Sequence, residues 1–190
     1  THERVNAVIM SIVMAILVIM FYFKSGFNFD PKAGSLKLLA KIWIFLNAVL
    51  VISAALKNYE YIVYYAFTYK RLGVFAFLLL SLIGLVLTYI KIQKQKRNIF
   101  LVNTMIWYFY GTVLVCSYFN WGGFITSQNM KRKDFAVNYH VTSINFSKKS
   151  LLKYADEKND QKLKKTLQDK VKNEKSKNFL SKVMYYQTLK

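Results

Sequence analysis

Four stretches of the chain are apolar on every face and long enough to cross a bilayer: residues 5–23, 38–56, 73–90 and 99–119. A hydrocarbon core of about 30 Å needs roughly 20 helical residues. Val5 to Phe23 is interrupted by nothing stronger than Asn6 and Ser11. In the second stretch Ile42 to Leu56 follows Leu38, Leu39 and Ala40, and Lys41 can snorkel its ammonium to the headgroups. Gly73 to Ile90 is the cleanest run, and Ile99 to Phe119 carries Asn103 and Thr104 near its start. Helices are predicted rather than strands, because barrel strands alternate polar and apolar residues and bare backbone finds no partner in hydrocarbon. Trp43, Trp107, Trp121, Phe21, Tyr22, Tyr89 and Tyr118 fall near the predicted ends, where amphipathic rings favour the interface. Only Arg4 precedes the first run and three more spans follow it, so it reads as a transmembrane helix, not a cleaved signal. The chain opens on Thr1, which suggests further helices upstream.

The predicted fold class is therefore all-α: an integral membrane bundle of four transmembrane helices with a basic helical C-terminal tail. Residues 24–41 are expected to form a loop, with a turn at Asp30-Pro31. Residues 57–72 hold five tyrosines and Phe67, and read as an interfacial segment or a helical extension ending at Lys70-Arg71. Residues 91–98 (KIQKQKRN) make a short basic loop. After Trp121-Gly122-Gly123 the composition changes, so residues 1–130 are assigned to a transmembrane domain and 131–190 to a basic helical tail outside the bilayer. Three short helices are expected in the tail: one around Leu151, Leu152 and Ala155, one on Leu163, Leu167 and Val171, and one around Phe179, Leu180, Val183 and Met184. Each apolar stripe is narrow, so each needs something to pack on.

Charge and composition sharpen this picture. The chain has 28 Lys+Arg against 9 Asp+Glu, a net charge of +19, yet 54% of its 190 residues are hydrophobic and 17% aromatic. A disordered polycation would lack those aromatics. One cysteine, Cys116, excludes a disulfide framework, and its place inside the fourth span predicts a buried, inert thiol. Positive charge near the spans is almost balanced between the two faces. The dense KIQKQKR cluster places the first and third loops on the cytoplasmic side and the tail on the other.

Several motifs resemble the C-terminal part of a bacterial family of multi-pass inner-membrane proteins known only as a domain of unknown function. They are N-A-V-L-x-I-S at Asn47 to Ser53, K-N-Y-x-Y-I at Lys57 to Ile62, A-F-T-Y-K-R-L-G-V at Ala66 to Val74, and I-K-I-Q-K at Ile90 to Lys94. Asn103-Thr104, Phe119 to Trp121, and His2-Glu3 add to them, and Asp134 to Tyr139 fits loosely. The likeness runs from Trp43 to Asn129. It implies an integral protein of the bacterial inner (cytoplasmic) membrane, with more helices before Thr1, and supplies no catalytic residues.

Candidate chemistry is sparse. Tyr69, Lys70 and Arg71 stand before the third span, where cations attract anionic headgroups or simply anchor the helix. Glu60 is the sole acid of the tyrosine-rich segment and is expected to form an exposed ion pair, with Lys57 or Arg71 as partner. Trp121 is a further candidate for lipid or partner contact. Asn47, Asn103 and Asn120 are candidates for hydrogen bonds across the bundle, and Ser81 with Gly84 for close packing. Two histidines and one cysteine make no convincing metal set, so no metal, cofactor or catalytic residue is assigned. No phosphate-binding glycine loop or nucleophile elbow occurs. The tail mixes charge signs, which points away from nucleic acid and toward anionic lipid or solvent. The expected function is a non-enzymatic scaffold or accessory subunit of a membrane complex, with the bilayer and other membrane chains as partners. The alternative is part of a transporter or channel, its pathway completed by helices upstream of Thr1.

Overall fold

The computed structural model describes residues 2–22, 31–176 and 185. Among them it forms a 3-10 turn, Pro31–Ala33, and eight α-helices. These are α1 His2–Tyr22, α2 Gly34–Tyr65, α3 Tyr69–Gln93, α4 Asn98–Tyr118, α5 Trp121–Asn129, α6 Val137–Thr142, α7 Lys148–Glu157 and α8 Gln161–Lys175. The described residues contain no strand. Three helices, α2, α3 and α4, are long and apolar enough to cross a membrane. The first expected span is also a helix, α1, whose apolar part is the shorter stretch Met10–Tyr22. The third expected tail helix, around Phe179 to Met184, lies outside the described residues.

Contacts divide the chain into two compact units. The first holds residues 1–65 and 70–115, the second residues 66–69 and 116–190. This division differs from the compositional boundary at 130, because α5 and the short 66–69 segment share one polar network with the helices that follow.

In the first unit α2 is longer than its apolar run predicts. Pro31 opens the 3-10 turn, its fixed φ suiting a first helical turn. The helix starts at Gly34 inside the expected loop and continues through 32 residues, about 48 Å at 1.5 Å per residue. It is the predicted extension, but it stops at Tyr65, before Lys70-Arg71. Ala66 turns left-handed there (φ 69°), which ends the α-helical ladder. The Asn58 amide donates to the Arg71 carbonyl at 2.9 Å, and the Arg71 guanidinium donates to the Tyr65 carbonyl at 2.7 Å.

Among the buried residues of α2, Ala40, Ile44, Asn47, Val51, Ala54 and Asn58 alternate steps of four and three, and Ile62 follows four residues on. Leu78, Ser81, Leu85, Thr88 and Ile92 do the same on α3. That alternation keeps one stripe facing a neighbour, as in a coiled-coil seam. Ile12 and Ile19 of α1, Ala40, Ile44, Val51 and Ala54 of α2, and Leu78, Leu85 and Ile92 of α3 form one core. The opposite faces are apolar too: Phe45, Leu46, Val49 and Ile52 are exposed. Three polar groups in the seam are satisfied by their own helices, and Asn58 by the Arg71 carbonyl of α3. Asn47 donates to the Trp43 carbonyl at 2.9 Å, Ser81 to Phe77 at 3.0 Å and Thr88 to Gly84 at 2.7 Å. The bond expected from Asn47 across the bundle is thus made within α2, since a side chain four residues on reaches the free lone pair of that carbonyl. A crossing bond comes from Asn98, which donates to the Met20 carbonyl at 3.0 Å. Gly84 packs as expected, under Ile16 of α1 and Met105 of α4.

In the second unit α7 packs against α5, α6 and α8. A left-handed Asn159 (φ 54°) turns α7 into α8, and the Asp160 carboxylate caps α8 through the Leu163 N–H at 2.9 Å. Leu151 and Ala155 of α7 and Leu167 and Val171 of α8 are buried, so the two narrow stripes predicted from spacing are covered within the fold.

Candidate functional site: an aromatic cleft beside a buried histidine network

Asn129, in the last turn of α5, uses its side chain as a piece of backbone. Its Oδ1 accepts the Phe67 N–H at 2.8 Å, and its Nδ2 donates to the Phe67 carbonyl at 3.0 Å. These are the two bonds a neighbouring strand would make to residue 67. They fix the amide's orientation, because a flipped amide would oppose donor to donor and acceptor to acceptor. The second Nδ2 hydrogen then points at His140 Nε2, 3.2 Å away. Nε2 must accept, so the proton sits on Nδ1 and is donated to Thr126 Oγ1 at 2.9 Å. Thr126, Asn129 and His140 are all buried. Burial pushes the His140 pKa down to about 4, and the ring is neutral near neutrality. With both nitrogens engaged, His140 is a structural residue, not an acid–base group.

Beside this network lies a cleft of about 470 Å³. Six aromatic side chains line it: Tyr69, Tyr118, Phe119, Trp121, Phe146 and Tyr185. Its volume lies in the range of small-ligand pockets, and none of its lining residues carries a charge. Trp121 is anchored by its indole N–H, which donates to the Cys116 carbonyl at 2.9 Å, and its ring lies 4.5 Å from that of Phe119. Tyr69 donates its hydroxyl to the Asn145 carbonyl at 3.0 Å. Asn120 caps α5, accepting the Gly123 N–H at 2.9 Å, and its amide donates to the Phe146 carbonyl at 3.3 Å. Phe146 itself is left-handed (φ 57°), a strained state for a bulky residue. Its ring meets Tyr185 edge-on at 5.3 Å. Gly122 lets the 145–146 turn approach: a Cβ there would stand 1.7 Å from the Asn145 carbonyl oxygen.

Two of the five residues singled out in the sequence, Tyr69 and Trp121, thus meet in one cleft. The other three lie elsewhere. Arg71 closes the end of α2, with its guanidinium 5.7 Å from the Tyr65 ring, and Lys70 is exposed at the start of α3. Glu60 pairs with Lys57 at 3.0 Å, exposed on α2. Cys116, expected to be buried in a span, is half-buried and lines the cleft, because α4 is ending there. Asn120 caps a helix instead of bridging the bundle. Among the described residues no group of three His, Cys, Asp or Glu gathers.

Charges outside the spans are held locally. Arg132 grips Asp134 with two hydrogen bonds, at 3.0 and 3.1 Å, which hold that exposed carboxyl below its usual range. Lys148 is buried and donates to the Val141 carbonyl at 2.7 Å, at the end of α6, where a cation suits the helix dipole. Burial lowers its pKa, and the nearby Lys170 adds to this against the opposing pull of Glu174.

The profile of a protein family described as "Domain of unknown function (DUF4153)" matches residues 1–153. No curated protein and no solved structure matches the chain.

Proposed function

From the premise that the chain belongs to the DUF4153 family, a domain of unknown function, we propose that it is a non-enzymatic scaffold or accessory subunit of a membrane complex. In this reading α1 joins α2, α3 and α4 as a fourth crossing, in the bacterial inner membrane. The aromatic cleft and the basic helices α7 and α8 then lie outside the hydrocarbon and meet a partner chain. The supporting observation is the uneven covering of the spans. Of the most apolar stretch of α4, 6% is buried, against 28% in α2 and 33% in α3. Exposed Trp107, Phe109, Tyr110 and Val113 leave a whole helix for lipid or another chain to cover. The core shared by α1, α2 and α3 is filled with aliphatic side chains, which suits a rigid anchor better than a pathway.

A second reading, part of a transporter or channel, draws on Lys91, which is fully buried in the last turn of α3. An ionisable residue in a bundle is a functional candidate. One experiment separates the two: purification of the full-length protein in mild detergent, with mass spectrometry of what remains bound. Stoichiometric partner chains support the scaffold. A lone protein overturns it, and reconstituted flux that Lys91→Met abolishes would establish the transporter in its place.

A further inference from the structure

A second concavity lies in the first unit, away from the aromatic cleft. It is a groove of about 210 Å³ between α2 and α3, lined by Lys41, Phe45 and Ala48 on one side and Leu82, Val86 and Tyr89 on the other. These positions step by three or four residues, so the groove follows the helix axes. From Ala48 to Lys41 it rises about 10 Å, less than the ~15 Å half-thickness of a hydrocarbon core. Its floor is aliphatic and aromatic, and a cation stands at one end. The Lys41 ammonium donates to Gln93 Oε1 and lies 5.6 Å from the centre of the Tyr89 ring. One of its three N–H groups is engaged by Gln93. The Gln93 amide nitrogen, on the same carboxamide, is a further donor group at this end.

The charge around this end is one-sided. Lys37 lies one turn before Lys41, and Lys94, Lys96 and Arg97 follow α3. No Asp or Glu occurs between residues 31 and 59 or between 61 and 133. An apolar channel with a lysine ammonium at one end has the polarity of one leaflet of a bilayer.

We propose that this groove binds an anionic glycerophospholipid, with an acyl chain along Phe45, Ala48, Leu82 and Val86 and the phosphate at Lys41, Gln93 and Tyr89. The proposal rests on α2 and α3 spanning the membrane, and is independent of what the second unit contacts. Phosphatidylglycerol is selected over phosphatidylcholine because its headgroup leaves the phosphate charge unbalanced.

The test uses the full chain in detergent, titrated with dioleoyl phosphatidylglycerol and separately with dioleoyl phosphatidylcholine, with bound lipid counted by native mass spectrometry. Lys41→Gln removes the charge and keeps most of the length. It is expected to weaken phosphatidylglycerol binding about fivefold while leaving phosphatidylcholine unchanged. Ala48→Phe fills the floor and is expected to weaken the first lipid bound of either kind. Lys94→Gln, on the same face but outside the groove, is expected to change binding less than about twofold. Equal affinity of the unmodified chain for the two lipids, or equal effects of Lys41→Gln and Lys94→Gln, overturns the proposal. A carbonate wash of membranes keeps the premise separate. Chain retained in the pellet leaves the spanning helices standing whatever the lipid result, and chain released into the wash overturns both.

Discussion

The two units solve opposite problems. In the first, the surface is as apolar as the core, so removal from water cannot tell inside from outside. Its specificity lies in spacing: the four-three alternation of small and branched residues on α2 and α3 chooses which stripe meets a neighbour. Asn47, Ser81 and Thr88 turn back on their own helices, and only single bonds, from Asn58 to Arg71 and from Asn98 to Met20, are described between helices. In the second unit the surface is charged, the helices are short, and the hydrophobic stripes are narrow. There a buried polar network among Phe67, Thr126, Asn129 and His140 supplies what the small apolar core cannot. The lesson is that Asn47, Ser81 and Thr88 in the first unit decorate helices that would form anyway, while Asn58 and Asn98 each add a single bond to a neighbouring helix. In the second unit a connected network joins segments 62 residues apart.

That contrast can be broken at graded sites. Gly122→Ala places a Cβ against the Asn145 carbonyl and should cost about 3–5 kcal/mol, by overpacking against a rigid backbone. Limited proteolysis should then release the chain beyond residue 116 while the spans stay protected. Asn129→Leu strands the Phe67 N–H and carbonyl and should cost about 2–4 kcal/mol in denaturant unfolding of the second unit.

Acid attacks the same network. The folded His140 pKa, about 4, is below the free value of 6.5, so the unfolded chain takes up the proton first as pH falls. Stability is whole above pH 6.5 and declines as pH falls toward 4, by up to about 3 kcal/mol. A pH series of unfolding midpoints should show that decline, and His140→Gln should flatten it. Ala66→Gly should stabilise by about 1 kcal/mol, since glycine adopts the left-handed turn without strain. The smallest effect belongs to the first unit. Thr88→Val removes a hydroxyl that serves only its own helix, and should change thermal stability in detergent by about 0.5 kcal/mol. A loss at Thr88 as large as that at Asn129 would dissolve the distinction between the units.

The spans were legible because their signal is local: twenty consecutive apolar residues can be read without knowing what they touch. The α7 and α8 stripes were legible for a similar reason, through Leu163, Leu167 and Val171. The start of α2 was not, because Gly34-Ser35 reads as a turn until Pro31 is seen to nucleate a helix. The short helices α5 and α6 were missed as well, having too few turns to show a period. The network was invisible from spacing, since Asn129 and Phe67 are far apart and neither belongs to a motif. Trp121-Gly122-Gly123 reads as a boundary in composition, while its first glycine lets the Asn145 carbonyl pack against α5. Tyr69 and Trp121 stand out in the sequence as candidate contact residues, yet nothing in it indicates that they share a cleft with Phe146 and Tyr185.

The bond between Asn129 and Phe67 also constrains how the chain can be threaded and made. Residues 66–69 and the described residues from 116 onward belong to one compact unit, so if α3 and α4 cross a bilayer, both ends of the pair lie on one side of it. Such a pair, α3 and α4, would insert together as a helical hairpin. During synthesis, residue 67 waits until Asn129 leaves the ribosome, about 3–12 s at 5–20 residues per second. A hairpin with only one limb inserted would leave Asn129 and Phe67 on opposite sides of the bilayer. The second unit thus completes its network only after the whole of α3 and α4 has been made.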